Sequence, residues 1–125
     1  MILAYWMVLA AVFLPYLTVV LAKAPGGVSN NAPRLGLDRL TGWRQRADWA
    51  HRNHFEAFPP FAAAVIIAEV SHLPQIRIDL LAGAWVVLRV IYTAMYIVDR
   101  ATLRSIVWSL AFVCVLALLV CSAIA

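Results

Sequence analysis

The chain has 125 residues, of which 65% are hydrophobic and 13% are charged. Because about a quarter of the residues in a soluble domain are charged, this composition excludes an ordinary soluble protein and indicates a membrane protein. The formal net charge is +4, yet the sequence carries no nucleic-acid-binding motif and no basic stretch interleaved with aromatic residues. We therefore expect an integral membrane protein in a lipid bilayer, with no nucleic-acid partner.

Four segments are long enough to cross a hydrocarbon core of about 30 Å at about 1.5 Å per residue. We place these helices at about residues 2–22, 44–73, 78–98 and 104–125, with residues 23–43 as the one long loop. The spacing leaves no room for a second domain. The sequence thus predicts one all-α domain over residues 1–125, a bundle of four transmembrane helices.

The basic residues predict the orientation of the bundle, because cytoplasmic loops carry an excess of Lys and Arg. The third connection contains Arg100 and Arg104, whereas the second contains only Arg77. The first connection and the residues after it contain Lys23, Arg34, Arg39, Arg44 and Arg46. Loops 1 and 3 should be cytoplasmic, so both termini would face the periplasm of a bacterial inner membrane.

Arg89 is a charged residue within the apolar third segment, where a charge is costly and needs a reason. At 3.6 residues per turn it shares one helix face with three aromatic residues. These are Trp85, Tyr92 and Tyr96. A polar stripe therefore enters the membrane along the third helix.

The second helix has a matching polar stripe before its apolar part begins. Helical spacing puts Arg46, Trp49, Asn53 and Glu56 on one face. Glu56 and Arg89 both fall in the cytoplasmic half of the membrane, so we predict an ion pair between them that reduces the cost of burying each charge. The pair can be purely structural or part of a ligand site, and its position alone is compatible with both.

Further polar side chains are expected at the cytoplasmic mouth beside this pair. Arg104 is predicted to open the fourth helix, where free backbone amides and the positive end of the dipole attract anions. The other members of the group are Arg52, Asn53, Tyr92, Tyr96 and Ser105. Such a group suits a charged, hydrogen-bonding ligand at the edge of a groove open to lipid.

The cysteines and histidines give no sign of a metal site. Cys114 and Cys121 are seven residues apart on one helix, about 10 Å along its axis, which is too far for a disulfide. His51 and His54 are three residues apart, not the four of a zinc-binding helix, and no third ligand lies nearby. We expect no bound metal.

These motifs, in this order, resemble those of the MAPEG family, the membrane-associated proteins in eicosanoid and glutathione metabolism. The second helix carries Ala50-His51-Arg52-Asn53-x-x-Glu56 followed by Phe58-Pro59. The later helices carry Arg89-x-x-Tyr92-x-x-x-Tyr96 and Leu103-Arg104-Ser105. The resemblance spans the second to fourth helices and is that of a bacterial-type member.

The resemblance implies a homotrimer of left-handed four-helix bundles that binds glutathione as a co-substrate between subunits, toward the cytoplasmic side. Arg104 would be the catalytic residue that stabilises the thiolate, and Arg89 would brace Glu56. Glutathione would be held by Arg52, Asn53, Glu56, Tyr92, Tyr96 and Ser105. The implied activity is thiol transfer to a lipophilic small molecule, reduction of a lipid hydroperoxide, or both.

Two positions depart from the family pattern and support an alternative. Trp49 stands where many members carry an arginine, and Trp108 where some carry a tyrosine. The alternative is a protein of the same fold that binds a lipid or a protein partner without glutathione chemistry. A small transporter is a third possibility, but the first helix lacks the acidic residue expected for ion coupling.

Overall fold

The computed structural model describes residues 2–125, and this part of the chain contains five α-helices and no strand. In chain order they are α1 (Leu3–Lys23), α2 (Pro33–Asp38), α3 (Gly42–Val70), α4 (Gln75–Ile97) and α5 (Ala101–Ala123). Three of them, α1, α4 and α5, are long and apolar enough to cross a membrane. The prediction of an all-helical membrane protein is confirmed.

The helix α3 has 29 residues but is polar in its first half, so its composition alone does not mark it as a membrane span. It packs against α1 on one side and against α4 and α5 on the other. Residues on different faces of α3 therefore meet different neighbours, and this arrangement decides the environment of every polar side chain considered below.

The helix bounds differ from those expected from sequence by one to three residues, and two differences bear on the site: an additional short helix and an earlier start of the last helix. The long loop contains the short helix α2, where Pro33 provides a suitable first residue and the buried Leu37 packs near Ala22 and Ala47. The last helix begins at Ala101, so Arg104 lies within its first turn rather than at its start. The backbone amide of Arg104 already donates to the carbonyl of Arg100, and is not free to bind an anion.

The core consists mainly of alanines and a few large side chains. Ala64 and Ala68 on α3 are fully buried, and small residues of this kind let membrane helices approach closely. The ring of Phe61 on α3 stacks on Trp85 of α4, with centroids 3.8 Å apart and planes 3° from parallel. Trp85 precedes Arg89 by four residues, so this stack lies one helical turn from Arg89 on the same face of α4.

Two arginines at the start of α3 cap the ends of other helices. The Nε of Arg44 donates to the carbonyl of Ala22 at 2.8 Å, and the Nε and Nη2 of Arg46 both donate to the carbonyl of Ile97, at 3.2 and 3.1 Å. A positive charge at the C-terminal end of a helix also interacts favourably with its dipole. We call this end of the bundle, where α1 and α4 end and α3 and α5 begin, the basic end.

Candidate functional site

Arg89 on α4 is almost completely buried, with 1% of its surface exposed. Its Nη2 donates hydrogen bonds to Asn53 Oδ1 at 2.9 Å and to His54 Nδ1 at 2.9 Å. The guanidinium carbon also lies 4.2 Å from the centre of the Tyr92 ring and 5.8 Å from that of Trp85. Hydrogen bonds and aromatic faces thus stabilise the deepest charge of the chain.

His54 on α3 is held at both ring nitrogens. The Thr93 hydroxyl donates to the carbonyl of Arg89 at 2.9 Å, so its oxygen accepts from His54 Nε2 at 2.8 Å. The other nitrogen, Nδ1, then accepts from Arg89, which assigns the neutral imidazole with its proton on Nε2. These three residues form a closed ring of hydrogen bonds between α3 and α4.

The predicted ion pair between Glu56 and Arg89 needs correction. The salt bridges among residues 2–125 do not include this pair. Instead, Asn53 connects the two residues, since its Oδ1 accepts from Arg89 while its Nδ2 donates to Glu56 Oε2 at 3.0 Å. An amide side chain carries both an acceptor and a donor, so Asn53 connects Arg89 and Glu56 without direct contact between their charged groups.

The polar stripe continues from Arg89 toward the basic end. The rings of Tyr92 and Tyr96 meet edge to face with centroids 5.5 Å apart, and the guanidinium carbon of Arg104 lies 4.4 Å from the centre of the Tyr96 ring. Trp49 lies on the other side of Tyr96, with centroids 6.4 Å apart. Arg104 is half-buried and, within the described part of the chain, forms no salt bridge. Its charge is therefore available to an anion.

A cavity of about 140 Å³ adjoins this stripe between α3, α4 and α5. Asn53, Glu56 and Arg89 form its polar wall, while the rest is apolar. The apolar lining consists of Ala57, Pro60, Trp85, Trp108, Ala111, Phe112 and Val115. An engineered cavity of about 150 Å³ holds a molecule the size of benzene, so this one accepts a fragment of a ligand and not a tripeptide.

Arg52 points about 100° away from Asn53 around α3 and extends toward α2 instead of α4. Its guanidinium contacts the carboxylate of Asp38 on α2 and that of Asp48, the latter at 2.9 Å. Two carboxylates thus already neutralise Arg52.

Ser105 is also separate from the stripe. It is exposed on α5, in a shallow groove with Thr102 and Ser109. Of the residues predicted from sequence to form one site, a single chain brings together Asn53, Glu56, Arg89, Tyr92, Tyr96 and Arg104. Arg52 and Ser105 lie on other faces of the bundle.

Sequence reasoning missed His54 and Thr93 as part of this network, since His54 was treated only as a possible metal ligand. A signal was present in the helical spacing. The buried positions of α3 include Ala47, Ala50, His54 and Phe61, which follow one another at intervals of three, four and seven residues. A histidine within a buried stripe requires hydrogen-bond partners at both nitrogens, and this requirement points to a polar residue on the facing helix.

Residues 2–125 contain no group of three or more His, Cys, Asp or Glu side chains arranged to hold a metal ion. Cys114 and Cys121 are free thiols, Cys114 being buried in the core.

Comparison with known proteins agrees with this arrangement of motifs. A search of the curated proteins and a search of the solved structures each found no match. The family model described as "MAPEG family", however, matches residues 3–124, nearly the whole chain. The match includes all four long helices and every residue of the polar stripe. The resemblance seen in the sequence is confirmed, and the chain belongs to the MAPEG family.

Proposed function

We propose that this protein is a glutathione-dependent membrane enzyme, which transfers the thiol to a lipophilic electrophile or reduces a lipid hydroperoxide. The proposal rests mainly on the contacts of the Arg104 side chain. This arginine lies over Tyr96 at the edge of the bundle and has no salt-bridge partner within residues 2–125. Its contact with Tyr96 places it at the end of the polar stripe, and a largely apolar cavity adjoins the same stripe at Asn53, Glu56 and Arg89. Membership in a family named for glutathione metabolism supports the same conclusion.

The charges of the stripe suit the charges of glutathione, which has one ammonium group, two carboxylates and a thiol. Asn53 occupies Oε2 of the exposed Glu56, which leaves Oε1 for an ammonium group. Arg104 offers a cation to a carboxylate or a thiolate. The cavity of about 140 Å³ admits only part of the tripeptide. The remainder would extend along Tyr92 and Tyr96 toward Arg104.

The proposed role of Arg104 is to favour the ionised form of the sulfur. A thiol has a pKa of about 8.5, and each unit by which a nearby cation lowers it corresponds to about 1.4 kcal/mol. In conjugation, the thiolate forms a bond to an electrophilic carbon and the displaced electron pair leaves with the departing group. In peroxide reduction, two thiols become a disulfide while the hydroperoxide becomes an alcohol and water.

We further propose a homotrimer, which accounts for the position of Ser105 away from the stripe. Ser105 lies on an outer face of the bundle, where it can reach a ligand bound between subunits, whereas Asp38 and Asp48 hold Arg52 within its own chain. Glutathione at such an interface would contact the stripe of one subunit and a different face of the next. The family membership and the exposed position of Ser105 support this arrangement.

We also propose that α3 is a fourth membrane span, with the basic end in the cytoplasm and both termini in the periplasm. The chain enters α3 at the end where α1 stops and leaves it where α4 begins. Because α1 and α4 are both apolar enough to cross the membrane, the helix packed between them has to cross as well. The excess of basic residues at this end supports the orientation.

A second candidate is a protein that binds a lipid or a protein partner without glutathione chemistry. Two observations favour it. Asp38 and Asp48 already occupy Arg52, and the indole of Trp108 forms part of the cavity wall. An indole offers one N–H donor and no acceptor, so it cannot replace a phenol hydroxyl in kind.

Calorimetry with glutathione in detergent distinguishes the two candidates. We expect saturable binding to the purified protein that is lost in Arg104→Leu and kept in Arg100→Leu, an exposed arginine one turn earlier. Thiol-dependent turnover of a lipophilic electrophile should follow the same pattern. A protein that copurifies with an apolar ligand and binds no glutathione would support the second candidate.

A further inference from the structure

A second, larger cleft lies on the other face of α3, between that helix, α1 and α2. Its volume is about 630 Å³. Its walls include Tyr16 and Lys23 on α1, Arg34 on α2, and Arg52 and Phe55 on α3. It shares no lining residue with the cavity beside Arg89. We call it the cationic cleft.

Two positive charges in the cationic cleft are available to a ligand. Arg52 is occupied by Asp38 and Asp48, and these are the only carboxylates that line the cleft. Lys23 and Arg34 also line it, and neither forms a salt bridge within residues 2–125. Three cations, Lys23, Arg34 and Arg52, and two carboxylates, Asp38 and Asp48, line the cleft, so its net charge is about +1, and the two cations without a salt bridge face an incoming group.

The deeper part of the cationic cleft is apolar. The rings of Tyr16 and Phe55 meet edge to face with centroids 5.6 Å apart, and both side chains are about half exposed. Tyr16 precedes Lys23 by seven residues, which is about 10 Å along the helix axis toward the middle of the membrane. The cleft thus changes from cationic at the basic end to aromatic and apolar within the bilayer.

We propose that the cationic cleft binds an anionic phospholipid, with its phosphate near Lys23 and Arg34 and its acyl chains along Tyr16 and Phe55. The order of polar and apolar groups in the cleft is the order found along a phospholipid from its headgroup to its chains. Basic pockets between transmembrane helices are sites of this kind. The exposed rings of Tyr16 and Phe55 leave the cleft open to the side, where lipids are present. A soluble anion would use only the two cations.

Native mass spectrometry of the full chain with equimolar phosphatidylglycerol and phosphatidylcholine of identical acyl chains tests the proposal. Each basic residue near an anionic lipid contributes about a fivefold preference, so the net charge of about +1 gives roughly fivefold in favour of phosphatidylglycerol. The double variant Lys23→Gln/Arg34→Gln should bring the ratio of bound lipids close to one. The matched control Arg39→Gln/Arg100→Gln removes two exposed cations at the same end but outside the cleft, and should change the ratio less than about twofold.

Equal binding of the two lipids by the unaltered protein would overturn the proposal. An equal loss in both double variants would also overturn it, because the preference would then come from the general positive charge of this end. Added glutathione should leave the bound phosphatidylglycerol in place, since the polar stripe lies on the other face of α3. Displacement by glutathione would assign the cleft to the thiol ligand instead.

A measurement on the unaltered protein keeps the test independent of whether the variants fold. Raising the salt concentration from about 0.05 M to about 0.5 M should lower the binding of phosphatidylglycerol and leave that of phosphatidylcholine unchanged, because salt screens the attraction to the phosphate. The same response of both lipids to salt would contradict a charged contact in the cleft.

Discussion

Arg52 and Asn53 are consecutive in α3, but they lie in two different environments. Arg52 faces α1 and α2, where Asp38 and Asp48 neutralise it. Asn53 faces α4, where it accepts a hydrogen bond from Arg89 and donates one to Glu56. On the first face an arginine is already paired by the chain's own carboxylates. On the second face, two arginines are held by amide, imidazole and aromatic groups and have no carboxylate in contact.

This contrast indicates that an arginine marks a site for a charged ligand only when carboxylates of its own chain do not already neutralise it. Within the second face, Arg89 and Arg104 differ again. Arg89 is buried and uses its donors on neighbouring helices, whereas Arg104 is half-buried and contacts only a ring face in the described structure. We therefore propose that Arg89 stabilises the bundle and that Arg104 binds the ligand, and four changes test this division.

The largest effect on stability is expected for Arg89→Leu. The substitution leaves Asn53 Oδ1 and His54 Nδ1 without a donor, and an unsatisfied buried group costs about 1–3 kcal/mol. We expect a loss of about 2–4 kcal/mol in the free energy of unfolding, measured by denaturation in detergent. The control Arg77→Leu, exposed near the start of α4, should change it by less than about 0.5 kcal/mol. An Arg89→Leu protein of full stability without turnover would place Arg89 in the reaction instead.

The largest effect on activity is expected for Arg104→Leu. Removing one group that stabilises an anion in an enzyme costs about 10²- to 10³-fold in turnover, and we expect about 100-fold here with an unchanged melting temperature. The rising, acidic limb of the pH profile should move upward toward about 8.5, because a thiol without a nearby cation ionises at higher pH. Arg100→Leu is the matched control. Normal turnover in Arg104→Leu would contradict the assignment.

A smaller effect on stability is expected for Thr93→Val, which keeps the shape of the side chain. It removes the acceptor of His54 Nε2, so we expect a loss of about 1–2 kcal/mol in the free energy of unfolding. Glutathione affinity should not change, because the hydrogen-bond ring lies inside the bundle. Thr102→Val, exposed on α5, is the control. Equal stability of the two variants would show that the ring contributes nothing.

The smallest effect is expected for Arg52→Gln. Its contact with Asp38 is exposed and worth about 1 kcal/mol or less, and the buried Asp48 keeps His51 as a partner at 3.2 Å. We expect the free energy of unfolding to fall by less than about 1 kcal/mol and the dissociation constant for glutathione to change by less than about threefold. Asn53→Ala, on the other face, should weaken glutathione binding more than Arg52→Gln does. A tenfold weaker affinity in Arg52→Gln would mean that a neighbouring subunit brings Arg52 to the ligand.

The contrast between Arg89 and His54 shows which residues of the site can be predicted from the sequence. A single arginine in an apolar segment can be recognised from the sequence as a structurally or functionally important residue, because a charge inside the membrane is costly. The neutral His54 gave no such signal, although it binds Arg89 directly. The predicted partner of Arg89 was Glu56, chosen by charge. The structure instead uses Asn53 and His54, because they lie close enough to Arg89 to satisfy its donors.

Apolar segment lengths and the order of polar motifs are local properties of the chain, so they were sufficient to predict an all-helical membrane protein of the MAPEG family. Which charges are free and which are paired depends instead on how the helices pack. Asp38 is 14 residues from Arg52, and Arg89 is 36 residues from Asn53. Contacts over such distances depend on which faces of α1, α2 and α4 pack against α3, and helical spacing within one segment cannot specify that.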